Sequence, residues 1–131
     1  MAWGWLVLGM GVVMGLAEAD DWTQFRGEGG QGKSGAKGLP ATWGETENVE
    51  WKTAMPGPGT SSPVVWKERI YLTCQTGAEG GDLSGLKRHV LCFKLEDGSL
   101  VWNTPVAAEL PEQEKIREDH GYASSTLAVD G

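Results

Sequence analysis

Apolar and polar positions along this chain fall into three successive regimes. Residues 5–16 are almost continuously apolar, residues 20–42 are polar and rich in glycine, and from residue 48 onward short apolar runs alternate with turn residues. The runs cover 48–53, 62–66, 69–74, 89–95 and 100–106, each five to seven residues long. Their length and their β-branched and aromatic content predict strands rather than helices. The unbroken apolar stretch Val90-Leu91-Cys92-Phe93 predicts a sheet covered on both faces. The expected class is all-β.

The connections sort into two kinds. Trp66-Lys67-Glu68-Arg69 and Glu96-Asp97-Gly98-Ser99 are tight, the second carrying an Asp-Gly hairpin signal, whereas 75–88 and 107–122 are long. In an antiparallel up-and-down sheet of four strands, alternate connections emerge at opposite ends. Both tight turns are then expected at one end and both long loops at the other, and the long-loop end is where binding groups should gather on a rigid scaffold.

A repeat underlies these runs. Val49-Glu50-Trp51-Lys52-Thr53 leads to Ser61-Ser62-Pro63-Val64-Val65, and Leu100-Val101-Trp102-Asn103-Thr104 leads to Ser124-Ser125-Thr126-Leu127-Ala128. A supersecondary unit recurring after about fifty residues points to a β-propeller or a similar array. The Trp-to-Ser spacing is 10 residues in the first copy (Trp51 to Ser61) and 22 in the second (Trp102 to Ser124), so twelve residues, 109–120, are inserted in the second loop. Pro111, the acidic residues after it and Arg117 near the end of that stretch suit a short surface helix. The region 48–131 is expected to hold one complete four-stranded blade, 61–106, between the last strand of one unit and the first of another, as the N-terminal part of a longer array.

The first regime resembles an export signal. The apolar run ends at Ala17-Glu18-Ala19, a small-x-small cleavage pattern, although no Lys or Arg precedes it. It is shorter than the roughly 20 apolar residues of a membrane-spanning helix. Residues 1–19 are read as a signal helix and 20–47 as an extended Gly-rich arm pinned by Trp22, Phe25 and Trp43. The formal net charge of −7, with no Lys/Arg cluster, argues against a nucleic-acid partner.

Candidate chemistry is sparse. Cys74 and Cys92 fall on neighbouring expected strands, and an exported chain could join them or bury both as free thiols; the register decides between the two. His120 beside Asp119 and Glu118 is a cluster of three adjacent loop residues, which ordinarily diverge rather than converge on a metal. His89 beside Arg88 reads as a strand-edge residue. Gly32-Lys33-Ser34 looks like the end of a phosphate loop but lacks the preceding strand. No catalytic and no metal-binding residue is assigned.

Ser61-Ser62-Pro63-Val64-Val65, Arg69-Ile70-Tyr71-Leu72 and Leu91-Cys92-Phe93 through Asp97-Gly98 to Trp102 resemble the repeat of PQQ-like (pyrroloquinoline quinone repeat) β-propellers. These are the blades of the quinoprotein alcohol dehydrogenase-like superfamily, which includes BamB-like exported bacterial proteins. Asp21-Trp22-Thr23-Gln24-Phe25-Arg26-Gly27 and Arg117-Glu118-Asp119-His120-Gly121-Tyr122-Ala123-Ser124-Ser125 are similar to other parts of that superfamily. The resemblance implies up-and-down blades, with Trp51, Ser61, Ser62, Pro63, Gly98, Trp102, Ser124 and Ser125 as structural repeat positions and Trp102 as a docking tryptophan. With the export signal at 1–19, a periplasmic or cell-envelope location is expected, and the long-loop face is expected to bind a protein or envelope component. Lys94 and Asp97 depart from the repeat, which usually has Asp and Thr there. The superfamily's dehydrogenases bind PQQ with calcium, using an adjacent Cys-Cys pair and Glu, Asn and Asp ligands. This chain has no adjacent cysteines, so a non-catalytic binding module is expected ahead of a piece of a quinoprotein dehydrogenase.

Overall fold

A computed structural model of the chain describes residues 21–78, 82–108 and 121–130. The signal segment 1–19 and the insertion 109–120, with His120 and its acidic neighbours, lie outside the described residues. The described part is built around one four-stranded antiparallel sheet, β1 (Val64–Trp66), β2 (Arg69–Thr76), β3 (Lys87–Lys94) and β4 (Leu100–Ala107), in the order β1-β2-β3-β4. The one short helical turn, Glu28–Gly30, belongs to the arm.

The turns sit where their chemistry directs. A two-residue loop joins Trp66 to its partner Arg69, with Lys67 in the left-handed region at φ 55°. Between β3 and β4 the backbone closes through Gly98 N–H to Lys94 O (3.0 Å) and Lys94 N–H to Ser99 O (2.9 Å). The Asp97 carboxylate accepts the Ser99 N–H at 2.8 Å, and Gly98 takes φ 67° at no steric cost. Both hydrogen bonds from Ser99 hold the Asp97 carboxyl below the usual carboxylate range. Leu95 N–H donates to Glu68 O, which ties the two tight turns together at one end of the sheet.

Register sorts the side chains onto two faces, because paired residues share a face and neighbours alternate. Val64, Tyr71, Cys92 and Trp102 form one row across all four strands; Leu72 and Leu91 pair on the other face, as do Ile70 with Phe93 and Cys74 with His89. Leu91 and Cys74 are fully buried and Phe93 nearly so, with Ile70 and Leu72 packed against them. A bulge between Cys92 and Phe93 leaves Val101 unpaired. β4 is exposed along its whole length.

Two expectations require correction. Residues 48–53 and 124–128 are not strands in this structure: they run beside the sheet, and no ladder partner for them lies among the described residues. A strand exists only through its neighbour, so alternating sequence alone does not make one. The arm is pinned by Trp22 but not by Phe25 or Trp43, which are 59% and 70% exposed. Trp22 exchanges two backbone hydrogen bonds with Val65, 2.7 and 2.8 Å, at the outer edge of β1. Its ring lies so close over Gly27 that a Cβ there would stand 2.7 Å from two ring carbons.

Candidate functional site

The segment 51–55 lies on the Leu91 face, and by Pro58 the chain has reached the edge of β2, where Pro58 O accepts the Gln75 N–H at 2.9 Å. Trp51 donates its indole N–H to Leu95 O (3.0 Å) and Thr53 its hydroxyl to Gly98 O (2.7 Å), so both side chains cap the β3–β4 turn. Gly98 is buried under them, and a Cβ on it would overlap the Trp51 ring. Trp51, Thr53 and Met55 then enclose an almost wholly apolar notch against Ile70, Leu72 and Phe93.

The segment 121–129 lies on the opposite, Cys92 face. Arg88 Nε donates to Tyr122 O (2.8 Å), Thr60 N–H to Ala123 O (3.1 Å) and Ser62 N–H to Thr126 Oγ1 (3.1 Å). Ser61 stands in for a strand residue, its hydroxyl accepting from Thr73 N–H at 3.0 Å and donating to Thr73 O at 3.3 Å. The two Ser-Ser steps thus become neighbours across the sheet edge. Of the repeat positions, Ser61 and Ser62 are half-buried, while Pro63, Ser124 and Ser125 are exposed.

Trp102 differs from its counterpart. Its ring meets Tyr71 at a centroid distance of 6.0 Å, tilted by 49°, yet the residue is 40% exposed. The seated tryptophan is Trp51. The repeat therefore appears in the structure as one Trp docked on the Leu91 face and its equivalent presented from the Cys92 face.

The cysteines are free and buried. Cys74 pairs with His89 and Cys92 with Tyr71, which puts the thiols on opposite faces and three positions apart along the ladder. The cross-strand disulfide left open by the sequence is therefore not formed. Burial pushes both thiols above their ordinary pKa, with Arg69 and the Tyr71 hydroxyl partly offsetting the shift at Cys92. Reduction is expected to leave the intact mass unchanged, and native thiol labelling near pH 7.5 to run at least about tenfold slower than in urea. Because folding favours the protonated thiols, their contribution to stability is complete below the unfolded pKa of roughly 8.5 and declines as pH rises through the higher folded values. A mass gain of two hydrogens on reduction would contradict this arrangement.

His89 is not an edge residue. It is 8% exposed, with Nε2 at 2.9 Å from Thr76 Oγ1 and Nδ1 at 2.8 Å from Asn103 Oδ1, so it clasps β2 and β4 across β3. The spacing His89, Leu91, Phe93 is the signal that could have put it on the buried face. Gln75, also 8% exposed, abuts Gly121 with a buried Oε1 that meets no hydrogen-bond donor among the described residues. Among the described residues no three His, Cys, Asp or Glu side chains converge to hold a metal ion.

No family model, curated protein or solved structure matches this chain.

Proposed function

We propose that this chain is a repeat module of the PQQ-like β-propeller type, exported to the periplasm or cell envelope, where it binds a protein or envelope component through its long-loop end. The observation that carries the reading is the seat of Trp51 on Gly98, together with its repeat counterpart Trp102 left half-exposed on the opposite face. One docking residue faces each side of the sheet, as units stacked in sequence require. The order of strands places both tight turns at one end, which frees the other end for the long connections.

A quinoprotein dehydrogenase is the second reading that the resemblance raises. Its quinone would lie against an adjacent Cys-Cys pair, which the sequence lacks, Cys74 and Cys92 lying on opposite faces of the sheet. The cysteines present do not fit the group, and no oxidation step is derived through it. Addition of PQQ with calcium is expected to change neither the absorption spectrum nor dye-linked alcohol oxidation; a response in either would overturn the binding reading. The location of binding is checked with a photo-cross-linker placed at Ser84, in the long β2–β3 loop, or at Glu96, in a tight turn. Envelope adducts should form from Ser84 and not from Glu96, and the reverse pattern would refute the long-loop site.

Trp102→Ala is expected to cost only about 1 kcal/mol in urea unfolding, well below the ~3–5 kcal/mol of a fully buried tryptophan. A loss comparable to that of Trp51→Ala would mean that Trp102 is already docked within this chain.

A further inference from the structure

His89 is an ionisable imidazole at a buried position where an apolar side chain would pack as well, and both of its ring nitrogens meet polar side chains. Nδ1 lies 2.8 Å from Asn103 Oδ1 and Nε2 lies 2.9 Å from Thr76 Oγ1. An amide oxygen only accepts, so the ring proton sits on Nδ1 and the bare Nε2 accepts from the Thr76 hydroxyl. Three neighbouring strands supply the three groups: Thr76 ends β2, His89 lies in β3 and Asn103 in β4. A hydroxyl, an imidazole and a carbonyl oxygen that fixes the ring's tautomer, in that order, are the arrangement that makes an alcohol nucleophilic. A buried histidine with satisfied partners is ordinarily a packing residue. This one has an opening beside its hydroxyl partner. The half-buried Thr76 lines a partly open cavity of about 140 Å³ together with Pro56, Gly57, Pro58, Gln75 and Gly77. Gly57 bounds that cavity without a side chain, because a Cβ there would overlap Gln75 O and stand 3.2 Å from Thr76 Cγ2.

We propose that Thr76, His89 and Asn103 form an acyl-transfer site for short-chain carboxylic esters, with Thr76 as nucleophile, His89 as base and Asn103 as the residue that positions the ring. The cavity's size restricts the acyl group to a few carbons, and its lining carries no charged side chain, which suits a neutral ester rather than an anion. Thr76 Oγ1 attacks the carbonyl carbon while its proton passes to His89 Nε2. The ester C–O bond then breaks, and the imidazolium returns the proton to the departing alkoxide. The acyl group stays on Thr76 until a water, giving its proton to the same Nε2, attacks the carbonyl. That step releases the carboxylic acid and restores the hydroxyl, so water is the only co-reactant. Asn103 fixes the ring but carries no charge to balance the imidazolium, and the acylation is accordingly slow and best seen with an activated ester. The inference is independent of the repeat reading, since it uses no repeat position.

The test treats the whole chain with 4-nitrophenyl acetate and locates the acetyl group by peptide mass mapping. Acetylation of Thr76 is expected in the folded protein, is retained in Thr76→Ser at residue 76, and is lost in urea and in Thr76→Val. Asn103 is exposed on β4, so its substitution can be read without disturbing the core. Asn103→Asp supplies a carboxylate to the imidazolium and should speed the acetylation of Thr76 about tenfold, whereas Asn103→Leu frees the ring and should slow it about tenfold. Urea midpoints close to that of the parent chain show that both variants are folded. No acetyl group at Thr76, acetylation confined to lysines or to His89, or a rate at Thr76 indifferent to residue 103 would overturn the proposal. The last outcome is the one that a purely structural clasp produces.

Discussion

Replacing Gly98 by alanine is expected to lower stability by about 3–4 kcal/mol and to release Trp51 from its seat. Two costs combine. At φ 67° an L-residue with a Cβ is strained by about 1–2 kcal/mol relative to glycine. The new methyl would also stand 2.6 Å from Thr53 Oγ1 and inside the Trp51 ring, so both capping side chains must leave. Their departure forfeits the indole bond to Leu95 O, the hydroxyl bond to Gly98 O and the cover over Ile70, Leu72 and Phe93. Urea unfolding measures the loss, and a red shift with increased quenching of tryptophan emission reports the release. Because Trp51→Ala already removes the same contact, the two substitutions should be strongly non-additive. In the Trp51→Ala background, Gly98→Ala should retain the backbone cost of about 1–2 kcal/mol and the displacement of Thr53, and lose the part that came from the ring. Full additivity would show that the ring does not rest on Gly98.

Leu91→Ala should have a comparable or larger effect, about 3–4 kcal/mol. Leu91 is fully buried in the middle of β3 and packs with Cys74 and Phe93. The cavity left by truncation adds to the lost transfer free energy, since a sheet paired on both sides has little freedom to collapse into it. Leu72 pairs with Leu91 across the ladder but is only half-buried, so Leu72→Ala should cost clearly less. Urea midpoints for the two variants give the ordering, and equal losses would contradict the burial that the register imposes. A domain with one small core stands near the lower end of the usual 5–15 kcal/mol range, so either large substitution would leave a margin of only about 1–2 kcal/mol.

Much of the sheet was legible in the residues. The four runs that became β1 to β4 carry their own alternation and turn chemistry, and Asp97-Gly98 announces a hairpin whichever neighbours surround it. The repeat positions were legible too, but not which tryptophan is seated. Trp51 and Trp102 stand in nearly the same local sequence, and only the Gly98 turn folding back beneath Trp51 distinguishes them. The cysteines illustrate the same limit. Their place on adjacent strands was readable, whereas the register that sends them to opposite faces depends on how the long loop 77–86 closes, and a shift of one residue would have reversed it.

Local order was thus set by the chain itself: periodicity chose strands over helices, and Gly, Asp and Ser chose the turns, because these preferences are decided within a few residues. Tertiary structure decided the pairing of His89 with Thr76 and Asn103, the separation of the thiols and the docking of Trp51. Each of these joins residues far apart in sequence, whose meeting depends on how neighbouring strands align. For the same reason residues 48–53 have the pattern of a strand without being one, since a strand is completed by a partner that its own sequence does not contain.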